Sequence, residues 1–168
     1  MFTDNYIKFR EMLFKATYAN MVCVDGTELT GLSGGANWGL DFGAHMNHAN
    51  GVSNNTGVYF GTGTTPPQKT DYKLENELDS ASLSVAEPTA GVFNTLGAGK
   101  YECMGSYTVK NITDADITIA EVGYYAMIKS GNLYYKTLFE RTVLASPVTI
   151  PAGQVKVITY KLTFNHAQ

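Results

Sequence analysis

The sequence predicts a mainly β protein: an antiparallel β-sandwich, jelly-roll or immunoglobulin-like, behind one N-terminal α-helix. Three observations predict it. From Val58 onward, runs rich in Val, Ile, Thr and Tyr recur between turn signals, the spacing expected of a sandwich or barrel. The last run alternates apolar and polar residues, as a half-buried strand does. Ahead of residue 58, only one segment repeats apolar residues at helical spacing.

That segment is residues 4–21. Thr3 or Asp4 is placed to cap its N-terminus. Tyr6, Phe9, Leu13 and Ala16 line one face, widened by Ile7, Met12 and Phe14. Glu11 and Lys15 stand four apart in the favourable order on the polar face. Such a helix either packs on its own domain or reaches into a neighbouring subunit, with Tyr6, Phe9, Leu13 and Phe14 as interface residues. Residues 22–27 read as a strand entering an Asp25-Gly26 turn. Gly31 to Asn55 is rich in Gly and Asn and holds the single tryptophan, Trp38. A loop of that length is expected to serve interaction, with Trp38 as a further interface residue. The expected division is residues 1–57, a helix plus docking segment, and residues 58–168, the sandwich.

Within the second part, Val58-Tyr59-Phe60 is a short strand ending at Gly61-Thr62-Gly63, broken by Pro66-Pro67. Ser82–Val85 and Gly91–Leu96 read as two short strands around Pro88. Tyr101–Ile112 sets Tyr101, Cys103, Tyr107 and Val109 on one face. In Ile117–Ile128 the apolar face switches between Ile119 and Val122, which predicts a bulge near Glu121 or Gly123. Lys129–Asn132 is a hairpin turn, Leu133–Val143 the returning strand, and Ser146-Pro147 an edge or corner. After the Pro151–Gly153 turn, Val155–Phe164 puts Ile158, Tyr160, Leu162 and Phe164 on one face.

The chain has 168 residues, which fits one domain of ordinary size. Apolar residues make up 44% and charged residues only 16%, a sparse supply of surface charge that suits a subunit packed against others. Net charge is −3 with scattered Lys and Arg, which argues against phosphate-driven nucleic-acid binding. No apolar run reaches membrane-spanning length. The opening Met1–Asn5 lacks the basic and apolar regions of a secretory leader, so the expected site of synthesis is a cytoplasm. Cys23 and Cys103 are then expected as reduced thiols.

Candidate chemistry is thin. His45 and His48 stand three apart near Asp41 in a segment poor in helix formers, and His166 is terminal, so no metal site is expected. Asp114 and Asp116 read as an Asx-type turn rather than a calcium loop. Gly61–Thr65 resembles a fragment of a phosphate loop without its lysine or helix. The four acidic residues from Asp71 to Asp79 read as a solvated loop. Glu121 and Arg141 stand out, because each interrupts an apolar strand. Placed across adjacent antiparallel strands, they are expected to form a bidentate ion pair that fixes register. No catalytic residue and no cofactor is expected.

Two stretches carry a family resemblance. One is Gly61-Thr62-Gly63-Thr64-Thr65-Pro66-Pro67 followed by Asp71-Tyr72-Lys73-Leu74-Glu75. The other runs through Tyr107–Asn111, Ile119–Tyr125, Leu138–Arg141, Pro147–Gln154 and Val157–Leu162. Their order and spacing over residues 58–164 resemble small structural virion proteins of tailed bacteriophages, capsid- or tail-associated. The resemblance implies a β-sandwich that oligomerises or caps a lattice, with other virion proteins and copies of itself as partners and no catalytic residues. The leading expectation is a capsid decoration or head-associated subunit held by multivalent attachment. The alternative is a tail or tail-tip component that binds a host glycan through Tyr-rich strands and Trp38.

Overall fold

The computed structural model describes residues 1–8, 19–32, 57–97, 100–130 and 133–165. It is mainly β, and every strand pairing is antiparallel. Strands β1 (Ala19–Val22) and β2 (Glu28–Leu32) form a hairpin. Strands β3 (Gly57–Gly61), β6 (Ile117–Ser130) and β7 (Leu133–Ile150) form one sheet in the order β3-β6-β7. Strands β4 (Leu83–Gly97), β5 (Lys100–Asn111) and β8 (Val155–Asn165) form a second in the order β4-β5-β8.

The main core is shared by both sheets and the hairpin. Phe60, Val122, Tyr124 and Ile150 come from one sheet, Val85, Tyr107, Val109 and Leu162 from the other. Met21, Cys23 and Leu29 join them, so the segment before residue 58 contributes to the same core. The alternation expected in β8 is present: Tyr160 and Leu162 are buried and Thr159, Lys161 and Thr163 exposed.

Several boundaries differ from the sequence reading. Residues 4–8 are helical, but Ala19–Val22 is a strand, not the last turn of a helix reaching Met21. The Asp25-Gly26 turn explains this. Gly26 takes a φ of 85°, and Cys23 N donates to Thr27 O, so the chain before it zips onto β2 and buries Met21. Tertiary burial overrides local helix propensity here. Thr3 stands at the start of the helix: its backbone O accepts from Ile7 N, and its hydroxyl donates to Leu138 O. The two short strands around Pro88 are one strand, β4, whose register slips across that proline and again after Thr89. Strand β7 continues through Pro147, which an edge strand tolerates.

Register slips near Glu121, where a bulge is expected, but the extra residues are on the partner strand: two steps on β6, Ile119 to Glu121, face five on β7, Val148 to Val143. Ile119 and Val122 both join the core, and Glu121 faces away from it. A second slip, between Tyr124 and Tyr125, lies opposite Phe139. Leu138 and Arg141 then face outward while Phe139 packs in the core.

The chain crosses between the two sheets at residues 62–82, 112–116 and 151–154. Asn111, fully buried, ties the last two corners together. Its Nδ2 donates to Ala115 O at 2.7 Å and Ile150 O at 2.9 Å, and its Oδ1 accepts from Thr113 N at 2.9 Å. The Asx turn is therefore built on Asn111, not on Asp114 and Asp116; Asp116 instead accepts from Ala152 N across the corner.

Candidate functional site

The most organised group of charged side chains lies on the outer face of the β3-β6-β7 sheet. Residues 62–79 fold back over that face. Leu74 is their anchor, buried with Tyr59, Tyr125 and Leu138 in a second apolar cluster. Leu74 N donates to the Tyr125 hydroxyl at 2.7 Å, which satisfies a buried donor inside an apolar patch.

Glu121 is the centre of this group and has no exposed surface. Its Oε1 accepts from Asn76 N at 2.8 Å and Gly63 N at 3.1 Å. Its Oε2 accepts from Glu75 N at 3.1 Å and from Arg141 Nε at 2.8 Å. The Gly-Thr-Gly run is shaped for this carboxylate. A Cβ on Gly61 or Gly63 would sit 2.5 Å or 2.6 Å from Glu121 Oε1. The run that resembles part of a phosphate loop thus cradles an anion, and that anion is the chain's own Glu121.

Arg141, 3% exposed at its side chain, bridges three carboxylates. Besides Glu121, its guanidinium reaches Asp71 Oδ2 at 2.8 Å and Glu75 Oε2 at 3.2 Å. Burial opposes the Arg141 charge, but hydrogen bonds to Asp71 and Glu121 outweigh it and hold the guanidinium above its ordinary pKa. The pair is not bidentate and not directly opposed. Gly123 faces Arg141 and Val143 faces Glu121, so the contact is diagonal. Asp71 and Glu75, expected in a solvated loop, belong to this cluster. Hydrogen bonds from Thr65 N and its hydroxyl, then the Arg141 charge, keep the Glu75 carboxyl below its usual value.

Lys136 secures the same segment from β7. Its Nζ donates to Glu77 Oε1 at 2.7 Å and lies 3.5 Å from the Tyr59 ring centroid and 4.2 Å from that of Tyr125. Burial lowers the Lys136 pKa despite Glu77, and raises that of the Tyr59 phenol to about 12. On the opposite face, Glu140 accepts from the Tyr160 hydroxyl, the Thr142 hydroxyl and the Met1 ammonium. Burial and then the Glu140 charge push the Tyr160 phenol well above its ordinary range.

Beside the Arg141 group lies an open cleft of about 380 Å³, lined by Thr65, Asp71, Tyr72, Lys73, Glu75 and Arg141 among others. Chemically the whole arrangement is a clamp. Each carboxylate around Arg141 is already neutralised by donors from the chain itself.

The structure brings Glu121 and Arg141 together. Tyr6 stacks on Phe2 at 4.2 Å and meets Phe139 edge-on at 5.9 Å, all within the chain. Phe9, Leu13, Phe14, Trp38, Asp41, His45, His48 and His166 lie outside the described residues. Cys23 is buried in the core, and its thiol is raised to about 11 by burial and then Asp25. Among the described residues, no group of three or more His, Cys, Asp or Glu could hold a metal ion, and no helix is long and apolar enough to cross a membrane. The sequence reading missed Asp71, Glu75 and Lys136. The two glycines before Pro66 were the available signal for a close backbone approach.

No protein-family model matches the chain, and neither a curated protein nor a solved structure does.

Proposed function

We propose that this chain is a non-enzymatic structural subunit of a tailed-phage virion, a jelly-roll or immunoglobulin-like sandwich attached to a repeating lattice as a capsid decoration or head-associated protein. One observation carries the reading. The buried charged groups, Glu121 and Arg141 foremost, are tied into contacts that fasten residues 62–79 onto the sheet. Such a clamp rigidifies a scaffold. The order of sequence motifs over residues 58–164 supports the same reading. Its partners are other virion proteins and further copies, met after synthesis in the host cytoplasm. Antibody labelling of purified particles tests it. Label in regular array on heads is the expected result; particles devoid of the protein overturn the proposal.

A second reading, a tail-tip component that binds a host glycan, is favoured by the cleft beside Tyr72. A half-buried aromatic there stands next to Asp71 and Glu75, whose oxygens suit sugar hydroxyls. Against it, Tyr59, Tyr107, Tyr124, Tyr125 and Tyr160 are buried and offer no platform. A glycan array with parent and Tyr72→Ala protein decides: binding lost in the variant supports this reading, and no binding by the parent ends it.

A further inference from the structure

The two sheets treat their edges differently. In the β3-β6-β7 sheet the chain itself covers part of each outer strand, and β7 carries Pro147 beyond the covered stretch. Along β3, Leu78 N donates to Phe60 O, and Gly61 bridges Glu77. Along β7, Thr3 N donates to Phe139 O, Arg141 N to Met1 O and Val24 N to Lys136 O, each at 3.0 Å. In the β4-β5-β8 sheet, β4 carries Pro88 and three register shifts, devices that spoil an edge as a template for another strand.

Among the described residues, strand β8 has none of these protections. It pairs with β5 without one slip, from Lys110↔Val155 to Lys100↔Asn165. It holds no proline, and no described strand lies along its outer side. Its outward face carries Val155 and Val157, 50% and 67% exposed. A long, regular, partly apolar edge is a ready template for strand addition.

We propose that β8 pairs antiparallel with β8 of a second copy, joining two β4-β5-β8 sheets into one continuous sheet. The proposal deepens the subunit reading, on which it rests, by naming the partner and the contact. A symmetric antiparallel pair has its two-fold axis perpendicular to the sheet, so it is centred on one residue. Centring on Lys156 or Lys161 would oppose like charges. Centring on Thr159 avoids this and sets Thr159 against its counterpart. It also sets Val157 against Lys161 of the second copy, whose aliphatic stem covers the valine.

Sedimentation of the full chain, at concentrations on the order of 100 μM, tests this. The parent is expected to dimerise. Val157→Lys sets a new cation against Lys161 of the second copy and is expected to weaken dimerisation by about tenfold or more. Val157→Glu is expected to retain it, because the new charge is opposite in sign. Val157 is solvent-exposed, so unchanged melting of both variants confirms intact folding. A parent that stays monomeric overturns the proposal, and so does a dimer indifferent to Val157→Lys or one weakened equally by lysine and glutamate. A monomer leaves particle labelling intact as the test of the virion reading. A dimer absent from particles would sink that reading alone.

Discussion

At the scale of single residues, the buried carboxylate of Glu121 decides how the outer face is held. Removing its cation leaves a charge without exposed surface and without its guanidinium partner. Arg141→Met is therefore expected to cost about 3–5 kcal/mol. For a chain of this length that lowers Tm by roughly 6–20 °C in thermal denaturation. Glu121→Gln is expected to cost less, about 1–3 kcal/mol, because an amide keeps the shape but turns a donor toward backbone N–H groups. Equal melting of Arg141→Met and parent would refute both the clamp and its control of register. Gly63→Ala tests the cradle from the other side. Its Cβ would lie 2.6 Å from both Glu121 Oε1 and the Glu75 Cβ, one contact with a carboxylate pinned by four donors. A loss of about 1–3 kcal/mol is expected in denaturant titration, against little change for the exposed Thr64→Ala. The Glu121 and Arg141 pair was legible because each charge interrupts an apolar run. Asp71 and Glu75 were not, because nothing local distinguishes a carboxylate facing water from one facing an arginine seventy residues away.

At the scale of elements, pattern was readable where the strand obeyed one period and failed where long-range pairing rewrote it. The switch of apolar face in β6 announced the register shift near Glu121, but not that the inserted residues lie on β7, between Val143 and Val148. The helix boundary was misplaced because Ala19–Val22 takes its partner from β2 beyond a tight turn, which helical periodicity does not register. The 62–79 segment is an element without regular structure, held by side chains, and so its attachment depends on pH. The Glu75 carboxyl has a folded-state pKa below its ordinary 4.5. The folded state therefore binds that proton less readily than the unfolded chain. Its contribution is complete above about pH 4.5 and fades as pH falls through the lower folded value. Melting followed from pH 7 to pH 3, both about the window set by this group, is expected to show a steeper acid loss for the parent than for Glu75→Gln. Identical acid slopes would mean that Glu75 contributes nothing to holding the segment.

At the scale of the whole molecule, two sheets become one body because the corners and the core are shared. Asn111 closes two of the three crossings with hydrogen bonds to four groups on three residues: Ala115 O, Ile150 O, Thr113 N and the Thr113 hydroxyl. The N-terminal segment is bound into the same body. Asn5 donates to Val22 O at 2.8 Å and accepts from Val22 N at 3.0 Å, which ties residues 1–8 to the hairpin whose Met21 and Leu29 enter the core. None of this coupling is visible in a linear pattern, because it depends on which corner meets which. It has a measurable consequence. If sheets, hairpin and N-terminal segment share one core, unfolding is a single cooperative transition. Asn111→Ala takes the side-chain donor from the buried Ile150 O and the acceptor from Thr113 N, and is expected to cost about 1–3 kcal/mol. The loss should then appear as one displaced transition, with the same midpoint by far-ultraviolet circular dichroism and by tyrosine absorbance. Two separated transitions, with only one of them moved by Asn111→Ala, would show that the sheets fold as independent units. The corner would then be a local fastening, not the joint on which the sandwich depends.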